Sequence, residues 1–283
     1  MELNTHQDAP ESDLNRFAKL ERQQSLDELT LGFKNSSVQP AAISSLIQAF
    51  EQDKVFYAAE PWIDGNKNIR ANELLFRFVR GEDHTIGHYS HIEPSLRQAQ
   101  LVTNFDMLNI FNILSWLAKD DKNIHSTINL SHDTLCRKDL CERFLDIVQH
   151  EQAPSIIVEI LENEKQFNAE QIDYLYSLKK RGIVFAMDDF RISVASDWAR
   201  LQSLERKGIL SYIKLDGKDS VRSYLDQGKN GLEALRQEIL KIKNHAGSSP
   251  KIVAEWVNNS TEIDKLVSIG VDAVQGTNLM LSP

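Results

Sequence analysis

Apolar residues recur at helical spacing in the first part of the chain. One such series begins at Leu14, and a further series runs from Ile43 to Phe50. Three- and four-residue spacing of apolar side chains is typical of helices that bury one face. The pattern therefore predicts a helical N-terminal extension over residues 1–54, followed by a second unit over residues 55–283. The extension either packs on the second unit or is available to a partner.

From residue 55 onward, short apolar runs alternate with amphipathic segments. The first two runs flank Asp64-Gly65, a pair typical of hairpin turns, so we expect these two strands to be antiparallel. The polar stretch that follows them contains His84, His88 and His91 and is predicted to be a solvated loop, not a metal site. The eight predicted strands are Val55–Ile63, Ile69–Val79, Ser126–Leu130, Ile156–Leu161, Ile183–Met187, Tyr212–Leu215, Ile252–Ala254 and Ala273–Gln275.

Eight strands alternating with helices over about 230 residues are typical of a β/α barrel. We therefore predict an α/β fold, a TIM-like (β/α)8 barrel whose first strand is antiparallel, preceded by the helical extension. An open, doubly wound sheet is the competing architecture. It is less favoured because no glycine-rich phosphate-binding loop follows any predicted strand.

Composition narrows the class of protein. The chain has 283 residues, with 41% hydrophobic and 26% charged residues, which is typical of a globular protein with a sizeable core. Its 32 basic and 41 acidic residues give a net charge of −9. This balance argues against a duplex nucleic-acid partner, which would require a basic face. Phosphate chemistry stays open, because bound divalent cations can reverse the sign of a local site.

The sequence also predicts the compartment. No run approaches the roughly 18 consecutive apolar residues of a membrane span, and the segment from Met1 to Glu11 is too polar for a signal peptide. The two cysteines, Cys136 and Cys141, are predicted to be reduced thiols. We therefore expect a cytoplasmic protein.

Polar residues cluster at the ends of the predicted strands, where barrel enzymes carry their chemistry. A single carboxylate at such a position is often only the cap of the next helix. Seven carboxylates around one lysine, however, would repel one another strongly, and divalent cations can neutralise them. The residues concerned are Glu73, Asn129, Glu159, Glu162, Asp188, Asp189, Lys214, Asp216, Glu255 and Gln275.

The kinds of side chain in this set indicate which cations would bind. Carboxylate and amide oxygens suit Mg²⁺ or Mn²⁺, whereas zinc prefers histidine and cysteine. Asp188 and Asp189 could help to hold a pair of ions, as in enzymes that cleave phosphodiesters. Lys214 could then position the attacking water or stabilise the developing negative charge. Enolase-type barrels also gather acids and lysine around Mg²⁺, so the residues alone leave the reaction open.

Seven short motifs follow one another in order between Val55 and Pro283. They are Asn72-Glu73-Leu74-Leu75-Phe76-Arg77-Phe78, Asn129-Leu130-Ser131, Glu159-Ile160-Leu161-Glu162, Asp188-Asp189-Phe190, Lys214-Leu215-Asp216, Ala254-Glu255-Trp256-Val257 and Gln275-Gly276. In order and spacing they resemble the EAL-domain family of bacterial cyclic di-GMP phosphodiesterases. The resemblance implies a modified β/α barrel with an antiparallel first strand, and hydrolysis of cyclic di-GMP to linear pGpG.

The resemblance also assigns roles to individual residues. It implies catalytic roles for Glu73, Lys214 and Glu255, with the lysine orienting the attacking water. Glu162 would steady the loop after the aspartate pair. The implied substrate contacts are Leu75, Arg77 and Gln275. The implied ligands of two Mg²⁺ or Mn²⁺ ions are Glu73, Asn129, Glu159, Asp188, Asp189 and Glu255.

Three departures from the family pattern keep alternative functions open. Residues 191–196 replace a loop that usually contains two glycines, Glu60 replaces a substrate-contacting glutamine, and Trp256 replaces a glycine. One alternative is a catalytically inactive receptor for cyclic di-GMP, and another is a protein-binding regulator that acts through its N-terminal helices. A homodimer is a further expectation. Leu20, Leu26 and Leu29 are the candidate contacts for a dimer or a partner.

Overall fold

The structure is a computed structural model that describes residues 13–80, 85–117, 125–149, 155–161, 166–246, 249–276 and 279. Within these residues, the strands are β1 (Val55–Ile63), β2 (Ile69–Arg80), β3 (Thr85–His88), β4 (His125–Leu130), β5 (Ile156–Ile160), β6 (Val184–Phe190), β7 (Leu210–Leu215), β8 (Lys251–Ala254) and β9 (Ala273–Gln275).

Helices lie between most of these strands and before the first one. They are α1 (Asp13–Asn35), α2 (Ala41–Glu51), α3 (Tyr89–Gln98), α4 (Val102–Leu117), α5 (His132–Leu135), α6 (Lys138–Val148), α7 (Ala169–Lys180), α8 (Ala195–Glu205), α9 (Ser223–Leu225), α10 (Gly228–His245) and α11 (Ser260–Ser268). A π-helix, Gly217–Arg222, precedes α9. None of the helices in the described part of the chain is long and apolar enough to cross a membrane.

The strands close into a barrel of eight members. Around the barrel the order is β1, β2, β4, β5, β6, β7, β8 and β9, and β9 pairs with β1 to complete the closure. Strand β1 is antiparallel to both of its neighbours, whereas the pairs from β2–β4 round to β8–β9 are parallel. The predicted barrel and its antiparallel first strand are therefore confirmed.

One strand of the structure was not predicted. Strand β3 pairs antiparallel with the last four residues of β2 and lies outside the closed barrel. The prediction of a solvated loop is therefore wrong for His88, which ends β3, and for His91, which lies in α3. Close packing stabilises this strand pair, because a Cβ at Gly87 would overlap the ring of Phe78. His84 lies outside the described residues.

The N-terminal helices pack against the barrel unit and share its apolar cores. Leu14 of α1 is buried in the main core, which also contains residues of the barrel strands. Leu26 and Leu29 are buried in a second core with α2 and β2, so the prediction that they could contact a partner is wrong. Leu20 is 63% exposed and stays available. The domain boundary near residue 54 stays a prediction.

Candidate active site

A buried lysine lies at the mouth of the barrel, where the parallel strands end. The ammonium nitrogen of Lys214, in β7, lies 3.0 Å from a carboxylate oxygen of Glu73 in β2 and 2.8 Å from one of Glu159 in β5. It also lies 2.7 Å from Asp188 in β6 and 2.8 Å from Glu255, which directly follows β8. Lys214 is 1% exposed. Five strands therefore bring one cation and four carboxylates together, as the strand-end pattern predicted.

Lys214 and Glu73 each stabilise the charged form of the other. Burial alone would lower the pKa of Lys214, but the four neighbouring carboxylates raise it well above its usual value. Burial would likewise raise the pKa of Glu73, yet the ammonium of Lys214 lowers it, together with hydrogen bonds from Gln275 and Asn129. Both groups are therefore ionised at neutral pH.

The remaining carboxylates are less well compensated. Burial raises the pKa of Glu159 well above its usual value, and the neighbouring charges of Glu73 and Asp188 raise it further. Burial also raises the pKa of Glu255 to about 8, with Asp188 and Asp189 adding to the effect. One lysine does not balance this negative charge, so a divalent cation would bind favourably here.

The donor atoms at the mouth fit a hard cation. Asp188, Asp189 and Glu255 each offer a carboxylate oxygen, and these oxygens lie within 4.8 Å of one another. The side-chain oxygen of Asn129 and one oxygen of Glu159 are buried and have no hydrogen-bond partner among the described residues. An amide oxygen and an ionised carboxylate oxygen are ligands that Mg²⁺ and Mn²⁺ prefer.

Two side-chain amides donate hydrogen bonds to the carboxylates of β1 and β2. Asn129 donates to Glu73 at 2.8 Å, and the amide of Gln275 in β9 donates to Glu73 at 2.6 Å. The same amide also donates to Glu60 at 2.8 Å. Because Glu60 in β1 pairs in register with Glu73 in β2, the carboxylate that departs from the family pattern lies beside the predicted metal ligands.

An open cavity of about 650 Å³ lies above these side chains. Leu75 is two residues beyond Glu73 on the same face of β2 and lines the cavity. Arg77 lies two residues further along that face and donates to the carbonyl of Phe76 at 2.8 Å; it is not a lining residue. The residues that line the cavity are Glu60, Glu73, Leu75, Asp188, Asp189, Lys214, Arg222, Glu255, Trp256, Asn258, Gln275 and Gly276.

One of the predicted carboxylates does not join the cluster. Asp216 caps the π-helix, because its side chain accepts a hydrogen bond from the backbone of Asp219. Asp216 directly follows β7, at the strand end where it was predicted, but its carboxylate satisfies a helix end and does not line the cavity. Glu162 lies outside the described residues.

The altered loop after the aspartate pair is held in place without glycine. Asp197, at the start of α8, accepts hydrogen bonds from the backbone and the side chain of Arg191, at 3.0 and 2.9 Å. None of residues 191–196, all of which are described, has a left-handed backbone. The left-handed conformation is adopted instead by Asp189, with φ 48°. Arg191 therefore belongs to the loop structure and does not fill the mouth.

Trp256, in contrast, stands at the rim of the cavity. Its φ of 56° is left-handed, which costs a bulky residue about 1–2 kcal/mol. Its carbonyl accepts hydrogen bonds from the guanidinium of Arg222, which also binds the carboxylate of Glu262 at 2.6 and 2.8 Å. The indole packs against Gly217, and Trp256 is nevertheless 56% exposed.

Two supporting residues were not predicted from the sequence. The carboxylate of Asp106, buried in α4, accepts hydrogen bonds from the backbone and hydroxyl of Ser131, at 3.1 and 2.6 Å, and from the hydroxyl of Thr134 at 2.6 Å. Burial raises its pKa to about 6. Arg200 of α8 is buried and donates to the carbonyl of Asp188 at 2.6 Å. Both residues position segments that carry predicted metal ligands.

Comparison with known proteins identifies relatives of the whole barrel unit. The EAL domain family matches residues 43–281. Among characterised proteins, the chain is 27% identical over 244 residues to the cyclic di-GMP phosphodiesterase PdeF of Escherichia coli K12. That match covers 83% of this chain and 31% of PdeF, so the chain spans about a third of the length of that relative.

Solved structures share the same fold. An EAL domain protein from Listeria monocytogenes superposes with a TM-score of 0.68 at 18% identity, covering 83% of this chain and 91% of the other. The EAL domain of FimX from Pseudomonas aeruginosa, bound to c-di-GMP, gives a TM-score of 0.67 at 16% identity, covering 85% and 96%. At these identities the likeness establishes the barrel architecture.

Proposed function

The chain belongs to the EAL domain family, and we propose that it is a metal-dependent phosphodiesterase that opens cyclic di-GMP to linear pGpG. The reaction would serve second-messenger signalling in a bacterial cytoplasm. The observation that carries the proposal is the ammonium of Lys214, which lies within 3.0 Å of four carboxylates at the barrel mouth. Maintaining four acids around one buried lysine is costly for a protein that performs no chemistry there.

The proposal includes two bound divalent cations. When bound, Mg²⁺ or Mn²⁺ would lower the pKa of a coordinated water and neutralise charge on the phosphodiester. The proposed ligands of the two ions are Glu73, Asn129, Glu159, Asp188, Asp189 and Glu255.

Lys214 has the role of orienting the attacking water and stabilising negative charge on the phosphoryl oxygens. Its raised pKa keeps the ammonium protonated throughout, so it acts as a donor and never as a base. Glu73 and Glu255 both contact Lys214, and either carboxylate could accept the proton that the water loses. Attack at phosphorus then breaks the bond to the ribose 3′ oxygen, which takes up a proton from solvent and leaves as a hydroxyl, and the ring becomes linear.

The rest of the cavity would bind the substrate. Leu75 presents an apolar side chain to it, and Gln275 also lines it, with a buried amide oxygen that has no hydrogen-bond partner among the described residues. Arg77 lies further along the face of β2 that carries Glu73 and Leu75. We assign it a phosphate contact, because guanidinium groups bind phosphate in a bidentate manner.

A turnover assay tests the proposal. Wild-type protein incubated with cyclic di-GMP and Mn²⁺ should produce pGpG, and Glu73→Gln should reduce the rate by about 100-fold or more, because it removes a charged ligand while preserving shape. Glu170→Gln is the matched control, since Glu170 is an exposed glutamate paired with Lys138 on α6. Absence of pGpG, or equal rates in wild type and Glu73→Gln, would contradict the proposal.

A cyclic di-GMP receptor without catalytic activity is the second candidate. It is favoured by Glu60, an additional carboxylate in the cavity, and by Trp256 at its rim. Calorimetry with cyclic di-GMP and Ca²⁺ distinguishes the candidates: binding without turnover in Mn²⁺ identifies a receptor. If the protein neither binds nor hydrolyses cyclic di-GMP, the candidate that remains is a protein-binding regulator. The exposed Leu20 of α1 is then the first contact to test.

A further inference from the structure

Trp256 combines an unfavourable backbone with an exposed aromatic side chain. Its left-handed φ of 56° is a conformation that bulky residues rarely adopt. Burial does not compensate for this conformation, because Trp256 is 56% exposed and borders the cavity. By contrast, Trp62 is fully buried in the barrel. Strained residues of this kind persist where the surrounding structure fixes them, and they concentrate at functional sites.

The surroundings do fix Trp256, from two sides. Arg222 donates to its carbonyl and is itself held by a two-point contact with Glu262. Behind the indole lies Gly217, where a Cβ would overlap the ring and lie 2.6 Å from the Cβ of Trp256. The glycine therefore leaves room for the ring, which borders the cavity.

We propose that Trp256 is a substrate-binding residue whose indole stacks on a purine base of the cyclic dinucleotide, a role that rests on the proposed function. Trp256 directly follows Glu255, so its ring lies next to the carboxylates that would face the phosphodiester. Indole rings stack on bases without requiring a hydrogen-bond pattern. Such a platform holds a base beside the reacting phosphate and explains why an exposed tryptophan occupies a strained position.

Substitution of Gly217 offers a second test of the proposed stacking by Trp256. Gly217→Ala leaves the indole in the chain but pushes it from its position, because the added methyl group overlaps the ring. The φ of Gly217 is not left-handed, so alanine fits its backbone. Loss of affinity in Gly217→Ala should therefore depend on the presence of Trp256, which a double-mutant cycle measures.

The experiment measures binding of cyclic di-GMP in Ca²⁺ by calorimetry and by quenching of tryptophan fluorescence. Trp256→Ala should weaken binding by about 5- to 150-fold, the usual range for one stacked base. Trp256→Phe should retain most of the affinity but lose the quenching. Gly217→Ala should weaken binding in the wild type and have a clearly smaller effect in Trp256→Ala, where the overlap with the ring is gone and only the Cβ–Cβ overlap remains. Trp116→Phe is the control, because Trp116 is exposed at the end of α4 and does not line the cavity.

The outcomes separate the platform from the proposed function. If wild-type protein binds no cyclic di-GMP, the proposed function fails together with the platform. If wild type binds and Trp256→Ala binds equally well, the platform alone is overturned; tighter binding by Trp256→Ala identifies the indole as an obstruction. If Trp256→Ala does not fold, the variants Trp256→Phe and Gly217→Ala test the platform instead. Fluorescence quenching in Trp256→Phe equal to that of wild type would overturn it. So would an affinity of Gly217→Ala equal to that of wild type.

Discussion

Replacing Asp106 by asparagine should change how the stability of the protein depends on pH. Burial raises the pKa of this carboxyl from its ordinary value of 3.8 to about 6, despite hydrogen bonds from Ser131 and Thr134 that oppose the shift. Between these two values the folded state holds the proton more tightly than the unfolded state. Protonation therefore contributes stability that is fully present below pH 3.8 and is lost as the pH rises through 6.

The size of the effect follows from the two pKa values. A difference of about 2 pH units corresponds to about 3 kcal/mol in the free energy of unfolding. About 2 kcal/mol of this should develop between pH 7 and pH 4.5, because the proton is bound progressively over that range. Asp106→Asn keeps the shape of the side chain and an acceptor oxygen for Ser131 and Thr134, but it carries no titrating proton.

Urea denaturation of both proteins between pH 4.5 and pH 7 measures the effect, and the difference between them cancels other titrating groups. The free energy of unfolding of wild type relative to Asp106→Asn should rise by about 2 kcal/mol as the pH falls from 7 to 4.5. Asp146→Asn, at an exposed position on α6, is the control for removal of a charge. A difference that stays constant, or that changes in the opposite direction, would refute the reasoning.

Three further predictions concern the barrel mouth. Lys214→Met should lower the free energy of unfolding, measured by urea denaturation, by about 3–5 kcal/mol, because four buried carboxylates lose their cation. A decrease below about 1 kcal/mol would contradict the charge balance described above. Gly276→Ala should lower the free energy of unfolding by about 1–3 kcal/mol, because its Cβ would overlap the carbonyl oxygen of Val257. An unchanged midpoint of thermal unfolding would contradict this packing. Mn²⁺ at 100 times its dissociation constant should stabilise wild type by about 2.7 kcal/mol. Scanning fluorimetry should show a smaller shift for Asp189→Asn at the same Mn²⁺ concentration, and equal shifts would remove Asp189 from the ligands.

The barrel was predictable because its strands are short apolar runs bounded by helical segments. Strand β5 illustrates this, since all five of its residues are buried. Strand β3 escaped prediction because it is only four residues long, contains Gly87 and directly follows the polar residues Glu82, Asp83 and His84. Leu26 and Leu29 had the right helical spacing, but the spacing does not reveal what a helix packs against.

The chemistry of the site was predictable from residue type, but the contacts of each carboxylate were not. Asp188 and Asp216 both follow apolar strand residues, yet Asp188 contacts Lys214 whereas Asp216 caps the next helix. Asp188 lies within β6, whereas Asp216 lies one residue beyond the end of β7, and the sequence does not reveal where a strand ends and the next helix begins. Asp106 lies within an apolar helical run, and only its contact with Ser131 reveals a supporting role.

Conversion of cyclic di-GMP tests the central claim most directly, namely that the acids around Lys214 form a metal-dependent phosphodiesterase site. The measurement is chromatographic detection of pGpG from wild-type protein with Mn²⁺, then with excess chelator, and then with Mn²⁺ restored. The account predicts that pGpG forms, that formation stops with the chelator, and that it resumes when the metal returns. Absence of pGpG in Mn²⁺, or formation that continues in the chelator, would contradict it.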